Sequence, residues 1–229
     1  MIFVPEKKEE KSLLPSYTGG FFKSLRRKIF SRFRSFESYG QYFSFMAKAD
    51  KVSSLIEKNI KKGKKTKFLD IGCNKGFLLH SAAQKGWDVY GIELVPELLI
   101  PFKKKYKNLS NNLYTGSFDQ NYKELKRNSF DAISMIDVLE HFNDPVKTLS
   151  KVRALLKKDG VLVIQTPDSS STMSKKLKEA WPALKKDEHL CLFNKKNYKE
   201  MMESLAFTRT SFFKAFEEAD GNFVAVSQK

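Results

Sequence analysis

The stretch FLDIGCNKGF, Phe68 to Phe77, closes a short apolar run with an acid and then alternates Asp70, Gly72, Asn74 and Gly76. Glycine, and to a lesser degree asparagine, adopts the left-handed backbone that bulkier residues avoid, so this spacing predicts a tight turn open to close backbone approach. A helix pattern follows, and the free N–H groups at a helix start donate to a carboxylate or a phosphate. Cys73 lies inside the same turn. Glu93 stands 17 positions after Gly76, at the end of the next apolar run. An acid in that register is placed to accept hydrogen bonds from both hydroxyls of a ribose.

Two familiar phosphate-binding templates do not fit. A dinucleotide fingerprint needs glycines at 72, 74 and 77, and the chain offers Gly72, Asn74 and Phe77. A P-loop needs a Gly-Lys-Ser/Thr ending, whereas here Gly76 is followed by Phe77. A second constellation comes later in the chain. Asp137, Glu140 and His141 fall together in IDVLEH, and His189 lies in DEHLCLF. His141 or His189 could take a proton from an acceptor hydroxyl, with Glu140 beside the first of them. Alternatively, the oxygens of Asp137 and Glu140 with the His141 imidazole would suit a divalent metal, or the group serves only to shape a pocket. His80, in the middle of GFLLHSAAQ, reads as a packed or surface histidine.

The elements that would carry these residues alternate strand and helix from Phe68 onward. KFLDIG and WDVYGIEL are short apolar strands, and GFLLHSAAQKG between them is a helix stopped at Gly86. PELLIPFKKKY is the next helix, opened by Pro96 and kinked near Pro101. NNLYTG and FDAISMID are the third and fourth strands. A helix from about Pro145 to Lys158 ends at Gly160, before a fifth strand, VLVIQTP. Near-continuous apolar strands joined by helices predict a doubly wound parallel sheet covered on both faces. FTRTSFFKAF and NFVAVSQ then read as an antiparallel pair at one edge.

Residues 1–20 read as a flexible arm and 21–64 as an N-terminal helical cap, leaving 65–229 as the cofactor-binding domain. In the cap, Phe22, Leu25, Ile29, Phe33 and Phe36 recur at helical spacing among arginines and lysines. In YFSFMAKADKVSSLIEKNI, Phe45, Val52, Leu55 and Ile56 are placed to share one face. The 229 residues are 41% hydrophobic and 30% charged, with two cysteines, which describes an ordinary globular protein of a reducing compartment. A formal charge of +16 favours anionic partners, such as RNA or an acidic membrane surface, unless it is lysine bias alone.

The Asp70-x-Gly72-x-Asn74-x-Gly76 motif resembles the first motif of the class I S-adenosylmethionine-dependent methyltransferases. FDAISMIDVLEHFNDP and LLKKDGVLVIQTPD are similar to the fourth- and fifth-strand segments of that family. WPALKKDEHLCLFNKKNYKEMMESLAF resembles a segment of its small-molecule branch, which includes the quinone-biosynthesis O-methyltransferases. The resemblance covers roughly residues 66–229. It implies a Rossmann-like seven-stranded sheet with its last strand antiparallel, and S-adenosylmethionine as cofactor. It implies a cofactor site built from Asp70, Gly72, Cys73, Asn74, Gly76 and Glu93, with Ser117, Phe118 and Asp137 nearby. Phe118 either lies against the adenine or packs as an ordinary loop aromatic. A Glu-x-x-Glu-His arrangement that holds a divalent metal in some relatives resembles Asp137, Glu140 and His141, but a metal is not expected here.

The implied acceptor is a small or lipid-linked molecule, methylated on oxygen. An RNA-directed enzyme, or a membrane- or RNA-binding module that keeps the cofactor site, is the alternative. A cytoplasmic location is expected, with peripheral contact at the inner membrane surface through residues 21–36. The chain is thus expected to bind S-adenosylmethionine and not NAD in calorimetry. Glu93→Ala should weaken that binding by about 1–3 kcal/mol. Tight NAD binding with none to the methyl donor would overturn the resemblance.

Overall fold

The computed structural model describes residues 2–3, 39–61, 65–185, 187–215 and 221–229. Most of the expected arm, and the first cap helix with its proposed membrane face at 21–36, lie outside the described residues. Among the described residues no helix is long and apolar enough to cross a membrane.

The chain enters with β1 (Ile2–Phe3) and α1 (Tyr39–Asn59), then β2 (Lys67–Ile71), α2 (Phe77–Gln84) and β3 (Asp88–Glu93). Next are α3 (Ile100–Lys105), β4 (Leu113–Thr115), α4 (Phe118–Asn121), β5 (Phe130–Ile136) and α5 (Pro145–Leu155). The remainder is β6 (Leu156–Pro167), α6 (Thr172–Leu177), β7 (Cys191–Leu192), α7 (Lys195–Ser204), β8 (Arg209–Lys214) and β9 (Asn222–Gln228). The main sheet runs β4-β3-β2-β5-β6-β9-β8, parallel through β6, with β9 antiparallel to both β6 and β8. β1 pairs antiparallel with β7 in a separate two-stranded sheet. This is the expected seven-stranded, doubly wound architecture. The expected antiparallel hairpin stands at the edge: β8 forms the edge strand, and β9, the last strand, lies between it and β6.

Strict alternation explains why apolar strands suffice. Phe68, Val89, Ala132, Val161 and Val224 face one layer, with Val52 and Ile56 of α1 and Leu79 of α2. Their neighbours Leu69, Ile133, Leu162 and Phe223 face the other, with Leu149 and Val152 of α5 and Tyr198 and Met202 of α7. The interior strands therefore bury both sides, and successive residues serve opposite cores.

Local chemistry sets the helix ends. Asp144 caps α5 by accepting from the Lys147 N–H at 2.8 Å, with Pro145 at the first turn. Asn194 and Asn197 form a reciprocal capping box on α7. The helix begun at Pro145 stops at Leu155, three residues before the expected end. Leu156 already pairs with Phe130, and a bulge carrying Asp159 at φ +66° takes up the extra residues before Val161. Residues 96–105 are broken, as expected near Pro101: a 3₁₀ turn over Pro96–Leu99 passes into α3.

α1 lies along the sheet against α2. Ser53 and Ser81 meet at 2.9 Å, and Ser81 also donates to Asp50. Val52 and Ile56 are buried as the periodicity requires, but Phe45 is 48% exposed and stacks on Phe77, at the start of α2 (5.5 Å, 11°). Phe45 therefore leaves the buried stripe and sits above the glycine turn.

The turn glycines differ in what surrounds them. A Cβ on Gly76 (φ +78°) would lie 2.6 Å from the Phe102 ring, whereas one on Gly86 (φ +79°) would meet nothing within 4 Å. Gly86→Ala should cost only the left-handed strain, about 1–2 kcal/mol. Gly76→Ala should cost a further 1–3 kcal/mol or so from overpacking. Denaturant unfolding of the two variants, compared with the unsubstituted chain, checks that ordering.

Candidate active site

The site lies where strand order reverses. β2 and β5 are adjacent and parallel, and their following connections leave toward opposite sides of the sheet. The β2 connection is the predicted turn. Gly72, Asn74 and Gly76 all have positive φ (74°, 51° and 78°). A Cβ on Gly72 would lie 2.5 Å from a Val138 methyl, so the two loops touch at this glycine. The N–H groups of Gly72 and Cys73 both donate to the Ile92 carbonyl, at 2.9 and 3.0 Å. Cys73 is buried, and burial pushes its thiol well above the ordinary range.

Asp70 is buried opposite Ser134 of β5, whose hydroxyl donates to it at 2.6 Å. Burial raises its carboxyl to about 7, against the pull of the Ser134 bond. Glu93 accepts from the Asn74 N–H at 2.8 Å and from the Val95 N–H at 3.0 Å. Burial raises its pKa while those backbone donors hold it down. Glu93 thus fastens the end of β3 to the glycine turn, and each of its oxygens keeps further acceptor capacity. Ser117 caps α4: its hydroxyl accepts from the Gln120 N–H at 3.3 Å, and the Gln120 side chain accepts from the Ser117 N–H. Phe118 is buried, edge-on to Tyr122 at 5.8 Å.

Beyond β5, Asp137 (φ +56°) is a junction. Its carboxylate accepts from Gln165 at 2.9 and 3.0 Å, from Lys48 of α1 at 3.0 Å and from Asn222 of β9 at 3.3 Å. Glu140 is buried and accepts from the Thr166 hydroxyl at 3.0 Å. Burial raises its carboxyl to about 8, with the Asp137 charge adding to the rise and Lys48 opposing it.

His141 and His189, far apart in sequence, stand edge to face with ring centres 4.9 Å apart. Each Nδ1 faces a carbonyl, that of Glu188 at 2.7 Å and of Ala183 at 2.8 Å. A carbonyl only accepts, so both Nδ1 atoms carry the hydrogen and both Nε2 atoms keep a lone pair in the neutral rings. Burial, and then the neighbouring His141, lower the pKa of His189.

Glu140, His141 and His189 each offer one ligand atom, and these lie within 4.8 Å of one another. Asp137 is not in that group, because its oxygens serve Lys48, Gln165 and Asn222. His80 sits on α2 with its Nδ1 on the Tyr106 hydroxyl, consistent with a packed histidine. Sequence reasoning missed Ser134, Gln165 and Thr166, although each is a polar residue inside an apolar strand run, which was a usable signal. Lys48 and Asn222 gave none, since they meet Asp137 across 89 and 85 positions.

Residues 36–211 match the family described as methyltransferase domain. A ubiquinone biosynthesis O-methyltransferase of Actinobacillus pleuropneumoniae is 33% identical over 105 residues, covering 44% of this chain and 45% of that protein. One of Xanthomonas campestris is 32% identical over 101 residues, covering 43% and 41%. The chain thus aligns with less than half the length of these curated relatives. Among solved structures, a SAM-dependent methyltransferase from Archaeoglobus fulgidus superposes with TM-score 0.59 at 16% identity, over 84% of this chain and 100% of that one. Phosphoethanolamine N-methyltransferase 2 of Haemonchus contortus, solved with S-adenosylhomocysteine, gives 0.60 at 19%, over 78% and 52%. With its glycine turn, its sheet order and this match over most of its length, the chain belongs to the methyltransferase-domain family, and part of it is similar to the ubiquinone-biosynthesis O-methyltransferases.

Proposed function

We propose that the chain moves the methyl group of S-adenosylmethionine to an oxygen of a small or lipid-linked acceptor. In this reading His141 and His189 are the groups that take the acceptor's proton. The observation that carries it is the pair of rings, each with its Nδ1 held on a backbone carbonyl, grouped with the buried Glu140 beyond the end of β5. A hydroxyl must lose its proton as the methyl arrives, and an imidazole of near-neutral pKa suits that task. The carbonyls of Glu188 and Ala183 hold each ring so that the receiving nitrogen does not swing.

The cofactor supplies the electrophilic methyl. The chain binds and orients it: Asp70 receives the ammonium of its amino-acid end, the Gly72–Gly76 turn its carboxylate, and Glu93 its ribose. Support comes from the left-handed turn and from the two acids at adjacent strand ends. Phe45, exposed above that turn on Phe77, offers the acceptor an apolar wall.

The same Glu140, His141 and His189 donors, two nitrogens and a carboxylate, also suit a divalent cation once Glu140 has lost its proton. Such an ion would supply charge that lowers the pKa of an acceptor hydroxyl. Elemental analysis and turnover after exhaustive chelation separate the two arrangements. Metal-free protein of full activity leaves the imidazoles as the base. In that case His141→Ala and His189→Ala should lose turnover by about 100-fold or more with cofactor affinity intact. Equal loss of cofactor affinity would mark them as scaffold.

The proton on Asp70 gives a second test. Below pH 7 the unliganded carboxyl is largely protonated, and the cofactor's ammonium needs it ionised. Cofactor affinity should therefore fall as pH drops from about 8 to 6, approaching tenfold per unit at the acid end. Asp70→Asn should bind more weakly and lose that slope. Calorimetry across the range checks both, and an unchanged slope in the variant would remove Asp70 from the ammonium site.

A further inference from the structure

At the end of the sheet opposite the glycine turn, a cavity of about 250 Å³ opens between the end of α1 and the β8–β9 edge. Its polar rim is Lys58, Arg209, Ser211 and Gln228, over a floor of Val161 and Val226. Lys58 lies in the last turn of α1, Arg209 opens β8 and Gln228 closes the antiparallel β9, so all three belong to the end where the parallel strands begin. Among the described residues no carboxylate lines the cavity. The acids on the flanking elements are already engaged, Glu57 with Lys85 at 2.7 Å and Asp159 with Lys61 at 2.6 Å. Among the described residues neither Lys58 nor Arg209 makes an ion pair, and both are exposed.

The geometry arranges these donors for one kind of ligand. Arg209 places its Nε 3.4 Å from the Ser211 hydroxyl, which orients the guanidinium and leaves its terminal nitrogens free. Ser211 uses an acceptor lone pair there and keeps its own O–H to donate. Lys58 sits in the last turn of α1, at the negative end of the helix dipole, which favours a cation there. A planar fork, a point cation and a hydroxyl around an apolar floor match a doubly charged tetrahedral oxyanion better than a single carboxylate. A concave site of this volume takes one phosphate with part of what it esterifies; it is not the long stripe that a polynucleotide backbone requires.

We propose that this cavity binds a phosphate-bearing anion of phosphomonoester size, at a site separate from the methyl-transfer crevice. The test titrates inorganic phosphate and glycerol phosphate into the full chain at fixed ionic strength, following heat and the Gln228 side-chain amide signal. Saturable binding with a shift at Gln228 is expected. Lys58→Ala/Arg209→Ala should weaken it at least about tenfold, while Lys195→Ala/Lys196→Ala, an equal charge loss on α7, should not. Melting in phosphate-free buffer confirms that both variants are folded. Sedimentation with phosphatidic acid vesicles distinguishes the source: loss of vesicle binding in the first variant assigns a lipid phosphate, and no vesicle binding by the unsubstituted chain assigns a soluble one. Equal weakening in both variants would overturn the proposal, because the attraction would then be the diffuse charge of the surface. So would loss of binding to a single-stranded RNA without any saturable phosphate response.

Discussion

The parallel pairing of β2 with β5 is the constraint on which the rest of the structure depends. Right-handed crossovers force the chain leaving β2 and the chain leaving β5 to opposite sides, so the two loops part above adjacent strands. The candidate methyl-transfer site borders that gap. Asp70 and Ser134 face each other within it, one from each strand, and Gly72 and Val138 are its point of closest contact. Only a residue without a side chain lets the loops approach so closely. The sheet order therefore sets both where the crevice lies and how narrow it is.

The crevice is closed at two levels of rigidity. Its floor is fixed by backbone: Gly72 and Cys73 hang from the Ile92 carbonyl, and Glu93 returns the grip through Asn74. Its roof is held by side chains. α1 begins over the gap, rests Phe45 on Phe77 on the β2 side and sends Lys48 to Asp137 on the β5 side. Asp137 also takes β6 through Gln165 and β9 through Asn222, so one carboxylate registers three strands and a helix against each other. Two of its partners are amides and one is an ammonium, all donors, so the Asp137 carboxyl serves this junction as acceptor throughout.

The fold was readable because its signals are local and periodic. The near-continuous apolar runs FDAISMI and VLVIQTP, Pro145 after an acid, and the glycine spacing each act within a few residues of the structure they specify. The antiparallel insertion of β9, by contrast, depends on which neighbour completes the edge, and the helix end at Leu155 yielded to pairing with Phe130, a contact invisible to propensity. The site divides in the same way. Asp70, Asn74 and Glu93 stand at strand ends and turns where sequence places them. His189 meets His141 only because the segment before β7 folds back across the end of β5, with the Leu190 N–H on the Glu140 carbonyl.

The position of β9 shapes how the domain assembles. β8 precedes it in the chain yet has no other partner in the main sheet, so β8 stays unpaired until β9 arrives. β9 must in turn find β6, roughly 60 positions upstream, in a register that sets Val161 against Gln228 and Pro167 against Asn222. Closure of so long a loop is slow relative to the local βα units, which can form in succession along the chain. Until that step an unpaired β6 edge, apolar on both faces from Val161 to Ile164, is open to other strands. The sheet's last interior strand is therefore the one whose placement covers the β6 edge and gives β8 its partner.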